Sequence, residues 1–281
     1  MSSPDFLVIG AMKGGTSTLA AQLSAQAGIF MTTPKEPNYF SNDAVFAKGA
    51  RWYADLFADA APGDLKGEAS THYTKLPTYP ETVARARAAL DTPKIVYIIR
   101  NPVDRAVSHF IHEWSQGVMS GDVEAAFDTH PEIVEYGRYA MQIKPWVEAF
   151  GRDAVRLVCL ETLQADPEAM LSEVATFIGH PTSVAWKEDR ARENVSVERM
   201  RKFPLHGLLI DNPVAQVLRR TLVPKGIREA IRHSRQINDR PDLPEALRAK
   251  IETIYTEDDA ELTALFPNHA CLEASYPFLR S

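Results

Sequence analysis

The sequence predicts an α/β protein built as a three-layer sandwich, with a central parallel sheet flanked by helices. Two observations carry this. Short apolar runs of strand length alternate with longer segments of helical period, the order expected for right-handed crossovers. The first apolar run then ends in a glycine-rich turn that opens directly onto a helix start. With 281 residues, 45% hydrophobic and 24% charged, and with no repeat or low-complexity tract, the chain fits one domain over 1–281, mainly helical from about residue 185.

Strands are expected at 6–9, 65–68, 95–99 and 155–160, each a buried-strand pattern of mostly aliphatic residues. The helix over 16–27 opens on three hydroxyl residues, and that over 103–114 follows Pro102, which suits a first helical turn. Asp166 and Pro167 supply an acidic cap and a first-turn proline for 167–178. Further helices are expected at 79–90, 138–150 and 244–255 from their helical periodicity.

The run Phe6-Leu-Val-Ile-Gly10-Ala-Met-Lys13-Gly14-Gly15-Thr16-Ser17-Thr18-Leu19 makes the fold P-loop-like and carries the first chemical signal. Glycines let backbone approach an anion, and the amides and positive dipole end of the following helix point at it. A nucleoside-triphosphatase P-loop needs Gly-x-x-x-x-Gly-Lys-Ser/Thr, yet after Gly10 and Gly15 this chain has Thr16 where that lysine belongs. The lysine lies inside the loop instead, as Lys13, against the leaving-group side of a shorter anhydride. A tight strand-to-helix connection with no ligand is the plainer alternative.

A second signal comes at Lys94-Ile-Val-Tyr-Ile-Ile99-Arg100-Asn-Pro102-Val-Asp104-Arg-Ala-Val-Ser108-His109. Arg100 ends a buried strand and Ser108 lies two turns into the next helix, a guanidinium and a hydroxyl suited to a phosphate monoester. The alternative is that Arg100 pairs with Asp104 and Ser108 only packs.

Together these two segments resemble the nucleotide signatures of sulfotransferases that use 3′-phosphoadenosine 5′-phosphosulfate (PAPS). The resemblance extends through Gly67-Glu-Ala-Ser-Thr71-His-Tyr, Gly137-Arg-Tyr139 and the stretch 146–177, so it covers roughly residues 5 to 180. It is nearer to the heparan-type and bacterial enzymes than to the phenol and steroid enzymes, on the strength of Pro34-Lys35-Glu36-Pro37-Asn38-Tyr39-Phe40. It implies that Lys13, Gly14, Gly15, Thr16, Ser17 and Thr18 hold the phosphosulfate, and that Arg100 and Ser108 hold the 3′-phosphate. Glu36 is then the general base, Lys13 stabilises the leaving group, and adenosine 3′,5′-bisphosphate (PAP) is the product, with no metal needed.

Other residues carry two readings. Lys35 beside Glu36 either tunes that carboxylate or is a surface charge. His72 is a second candidate base, as a related branch of the superfamily uses a histidine, with His109 behind it; a lone histidine is more often structural. Tyr139 either contacts the 3′-phosphate or adenine, or staples a helix to the sheet. Residues 190–250 hold fourteen Lys or Arg against seven Asp or Glu; most of that charge reads as a solvated helical surface, or as a patch for an anionic acceptor, membrane surface or partner, while the resemblance implies that Arg201 or Lys202 within it closes over the 3′-phosphate. Where the heparan-type enzymes carry a lysine, this chain has Ala69, which makes a sulfated polysaccharide a doubtful acceptor.

A formal charge of −6 argues against a general nucleic-acid binder. The expected acceptor is a small molecule, lipid or carbohydrate, met by loops between 42 and 64 and between 119 and 135. Neither a basic n-region nor an apolar run of spanning length precedes the first strand, which points to a bacterial-style cytoplasmic enzyme, and Cys159 and Cys271 read as structural thiols. Two other classes stay open: a P-loop kinase or hydrolase, which would need recognisable magnesium ligands, and a non-catalytic nucleotide-binding module.

Overall fold

The computed structural model describes residues 3–189 and 241–279. Five strands form one parallel sheet: β1 (Phe6–Gly10), β2 (Ile29–Met31), β3 (Leu65–Ala69), β4 (Lys94–Ile99) and β5 (Val155–Cys159), in the order β2-β3-β1-β4-β5. In register, Val8 of β1 stands between Ala69 of β3 and Val96 of β4. From β1 the chain crosses to β2 on one side, and from β4 to β5 on the other, so the carboxyl ends of β1 and β4 flank the point where the winding reverses. That is where a doubly wound sheet opens a crevice.

Period-2 alternation sorts the strand residues into two cores. Phe6, Val8, Val96, Ile98 and Val158 face α1 (Thr16–Ser24), α9 (Leu160–Ala165) and α10 (Pro167–Phe177). Leu7, Ile9, Ile95, Tyr97, Ile99 and Leu157 face the other layer, α4 (Thr82–Ala89), α5 (Pro102–Gln116), α8 (Tyr139–Phe150), α11 (Glu245–Leu265) and α12 (Ala270–Ser275). Each face buries its apolar side chains against helices, which is the stabilising principle of the three-layer arrangement.

Several boundaries differ from the sequence reading. α1 stops at Ser24 and α4 starts at Thr82, while the expected 244–255 helix runs on to Leu265. Leu160 belongs to α9 rather than to β5. β2 was not foreseen, because three residues carry too little pattern. The expected acceptor loops are partly helical: α2 (Asp43–Phe46) and α3 (Gly49–Asp55) fill the first, α6 (Val123–Thr129) and α7 (Glu132–Glu135) the second. Asn42 caps α2 by accepting from the Val45 amide, and Asp122 caps α6 by accepting from the Ala125 amide.

Asp258 of α11 accepts from the amides of Ala140 and Met141 at 2.8 and 3.2 Å, so it caps the first turn of α8. Burial pushes its carboxyl up to about 6 despite those two donors. Cys159 and Cys271 are both free and buried. Among the described residues no helix is long and apolar enough to cross a membrane.

Candidate active site

The turn after β1 is bound onto the end of β4. The Ala11 amide donates to the Ile98 carbonyl at 2.7 Å, and the Gly14 amide to the Ala11 carbonyl at 2.9 Å. Gly14 is required by space, since a Cβ there would come within 2.5 Å of the Ile98 oxygen. Gly15, at φ +105°, is required by conformation as well, and a Cβ would meet Leu160 at 2.9 Å. Gly15 is also the N-cap of α1 and brings no side chain to it, leaving the first-turn amides to an outside acceptor. Thr16 is buried and Ser17 and Thr18 are half-buried at this uncapped, electropositive end.

Arg100 leaves the end of β4 beside that turn. Its Nη1 donates to the Lys13 carbonyl at 3.3 Å, and Nη2 lies 3.9 Å from Asp104. Its Nε is buried with no hydrogen-bond partner among the described residues, a donor suited to an oxyanion. The Asp104 contact foreseen as the alternative exists at that longer distance and leaves the guanidinium donors largely unspent. Ser108 sits one turn past Asp104 on the same face of α5, half-buried.

Tyr139 is wholly inside the protein. Its hydroxyl donates to the Arg100 carbonyl at 2.9 Å and accepts from the Arg100 amide at 3.4 Å. It therefore holds the backbone of Arg100, and of the two readings of Tyr139 the burial of its ring fits the one in which it staples α8 to the sheet.

Glu36 stands at the carboxyl end of β3, in left-handed backbone with φ 63°. Its amide donates to the Ala69 carbonyl at 3.0 Å; its Oε2 accepts from the Thr71 amide at 2.7 Å and from Thr71 Oγ1 at 3.1 Å. Oε1 pairs with Lys35. The carboxylate is thus aimed by β3 and the turn behind it rather than left loose on the surface. His72, in the same turn, stacks on Tyr79 at 4.7 Å, and burial brings its pKa down to about 4, with Lys75 adding to the fall and Glu36 opposing it. Its ring is neutral at physiological pH, and Nδ1 is buried without a partner among the described residues.

Two residues not singled out in the sequence join this crevice. The Lys75 ammonium lies 5.6 Å over the Tyr136 ring; burial lowers its pKa while the charges of Glu36 and Glu113 raise it. Burial raises the Glu113 carboxyl, and Lys75 and Lys13 pull it back. Lys13, Glu113, Lys75 and Glu36 therefore share one electrostatic field. His109 is buried, stacked on Tyr136, 3.8 Å from Glu113 and beside Arg105, and is held far below its ordinary pKa by burial first and by Arg105 next. The sequence signal for Lys75 was its place two residues beyond the Gly67 to Tyr73 segment; Glu113 had only its position one turn past His109. Arg201 and Lys202 lie outside the described residues.

Comparison with known proteins defines the class to which this crevice belongs. The sulfotransferase domain family matches residues 3–263. The chain belongs to that family, whose members move a sulfuryl group from PAPS, and the kinase reading is not favoured.

Among individual relatives it is 30% identical over 188 residues to mouse heparan sulfate glucosamine 3-O-sulfotransferase 3B1, covering 63% of this chain and 46% of that protein. It is 25% identical over 278 residues to the bifunctional heparan sulfate N-deacetylase/N-sulfotransferase 1 of Caenorhabditis elegans, covering 93% of this chain and 29% of that protein. The chain thus spans less than half the length of these curated relatives. In fold it is similar to a sulfotransferase from Alicyclobacillus acidocaldarius, with a TM-score of 0.67 at 21% identity over 97% of this chain and 100% of that one. It is also similar to mouse sulfotransferase SULT7A1 complexed with PAP, with a TM-score of 0.55 at 16% identity over 99% and 89% of the two chains.

The residues present fit the nucleotide. A turn that a Cβ at Gly14 would obstruct, a helix end with no side-chain cap and a buried guanidinium donor with no partner among the described residues form an oxyanion cradle on their own chemistry.

Proposed function

We propose that this chain transfers a sulfuryl group from PAPS to a hydroxyl or amine of a carbohydrate acceptor. One observation carries the reading: Glu36, on the loop after β2, is hydrogen-bonded to the carboxyl end of β3, and the turn after β1 that holds Lys13 is tied to Arg100 at the end of β4, so both groups lie at the carboxyl edge of neighbouring parallel strands. The bound donor supplies an activated sulfur attached to a good leaving group. Around it, the Gly14 to Thr18 amides and hydroxyls hold the 5′ oxyanions, and Arg100 with Ser108 holds the 3′-phosphate.

Glu36 accepts the proton of the attacking group, held toward the crevice by Thr71. Lys13 stabilises the negative charge that builds on the departing oxygen. Neutral His72 flanks the same wall and orients the acceptor or its proton. The carbohydrate acceptor is supported by the heparan-acting names of the relatives.

The test is incubation with sulfur-labelled PAPS and a panel of glucosamine-containing oligosaccharides, simple alcohols and lipid extracts. Label on an oligosaccharide supports the reading. Label only on lipid or small alcohols would overturn the acceptor, and no saturable uptake of PAP would overturn the donor.

A further inference from the structure

Beneath the Glu36 loop lies a second carboxyl group that the mechanism above does not use. Glu68, on β3, is completely buried, and its pKa is raised by that burial. Among the described residues its hydrogen-bond partners are hydroxyls. Tyr53 donates to Oε2 and Ser70 Oγ donates to Oε1 at 2.7 Å, with the Tyr73 hydroxyl bonding as well. Tyr53 is itself locked by stacking on Tyr39 at 4.3 Å.

The Ser70 hydroxyl has a single proton, and Glu68 takes it. Its lone pairs are thereby turned to the other side, where Ser70 Oγ accepts from the amide of Asn38 at 3.1 Å. Asn38 and Glu36 both sit in left-handed backbone, at φ 55° and 63°, a conformation that costs on the order of 1 kcal/mol or more for such residues. The loop that presents Glu36 is strained at two positions, and hydrogen bonds from the β3 end restrain it: Ala69 at Glu36, Thr71 at the carboxylate and Ser70 at Asn38.

We infer that Glu68 is a positioning residue for the reaction: through Ser70 it fixes the Asn38 amide and so holds the strained loop that aims Glu36 at the acceptor. The inference rests on the proposed role of Glu36 for its effect on turnover, but the clamp itself is a property of the free protein.

The experiment therefore has two arms. In the free protein, amide hydrogen exchange is followed at residues 36–38 in Ser70→Ala, Glu68→Gln and Ser70→Thr. Loss of one hydrogen bond should speed exchange of the Asn38 amide about tenfold in Ser70→Ala. Ser70→Thr, which keeps the hydroxyl, should restore it, and Glu68→Gln should fall between. If Glu68→Gln melts at room temperature, Tyr53→Phe replaces it and should give the same intermediate exchange.

In the second arm, PAP affinity by calorimetry should stay within about twofold of the parent in all variants, while turnover of labelled PAPS onto the acceptor found above falls about tenfold in Ser70→Ala at unchanged acceptor KM. A merely structural role would alter PAP affinity, KM and turnover together. Unchanged Asn38 exchange in Ser70→Ala and Glu68→Gln overturns the clamp. Faster exchange with unchanged turnover keeps the clamp and removes Glu36 from the chemistry, which separates failure of the inference from failure of the proposed function.

Discussion

Arg100 reaches back across 3.3 Å to the carbonyl oxygen of Lys13, so the cation at the end of β4 closes the turn at the end of β1. The two groups assigned to opposite ends of the nucleotide are mechanically linked. A change at either should register at the other.

Lys13→Ala should lower turnover by on the order of 10² while weakening PAP only modestly, because the ammonium acts on charge that develops in the transition state. Steady-state rates beside PAP calorimetry decide this. Equal losses in both would place Lys13 in simple binding.

Glu36→Gln should retain PAP affinity and lose transfer, while His72→Ala should keep a substantial fraction of it. Proton NMR of the His72 ring should show a midpoint near pH 4, so that the imidazole carries no charge at neutral pH. A dead His72→Ala beside an active Glu36→Gln would exchange their parts.

Arg100→Ala should weaken PAP about tenfold or more through loss of a charge-assisted contact. Tyr139→Phe should weaken it in the same direction although the ring is wholly buried, since the Arg100 carbonyl loses its hydroxyl donor. Unaltered affinity in Tyr139→Phe would show that Arg100 is fixed from elsewhere.

Gly14→Ala should abolish PAP binding or destabilise the fold by roughly 1–3 kcal/mol, because the added methyl carbon would press on the Ile98 carbonyl. Thermal melts with and without PAP separate the two results. A parent-like melt with parent-like affinity would mean the turn has slack the geometry does not show.

Asp258→Asn tests the pH dependence of stability. The native carboxyl titrates near 6 and an unfolded one near 3.8, so between these values the unfolded chain has released a proton that the native chain still holds. This group's stabilisation is complete below about pH 3.8 and is lost as pH rises through 6. Relative to the parent, the variant should gain stability by about 2 kcal/mol on going from pH 4 to pH 7, since the unfolded carboxyl is already partly ionised at pH 4. Denaturant melts at both values measure it, and a constant difference would refute the shift.

What could be read in the chain follows from where the information lies. β1, β3, β4 and β5 declare themselves because strands covered on both faces must be continuously apolar, whereas β2 is too short to show any period. Lys13 and Arg100 are legible because one lies in the turn that follows such a strand and the other directly follows one, and the doubly wound topology sends strand ends to one crevice. Lys75 and Glu113 are not, as their meeting depends on how the turn after β3 packs against α5. Tyr139 was legible as a residue with two parts open, since only coordinates distinguish a ring that touches phosphate from one that staples its helix to the end of β4.

The cap that Asp258 places on α8 has a consequence for any shortened version of this protein. α8 begins with Tyr139, and Tyr139 grips Arg100; the far end of the polypeptide is therefore a buttress three links removed from the nucleotide. A truncation before residue 245, though it deletes none of the residues assigned to the donor, should surrender affinity for PAP.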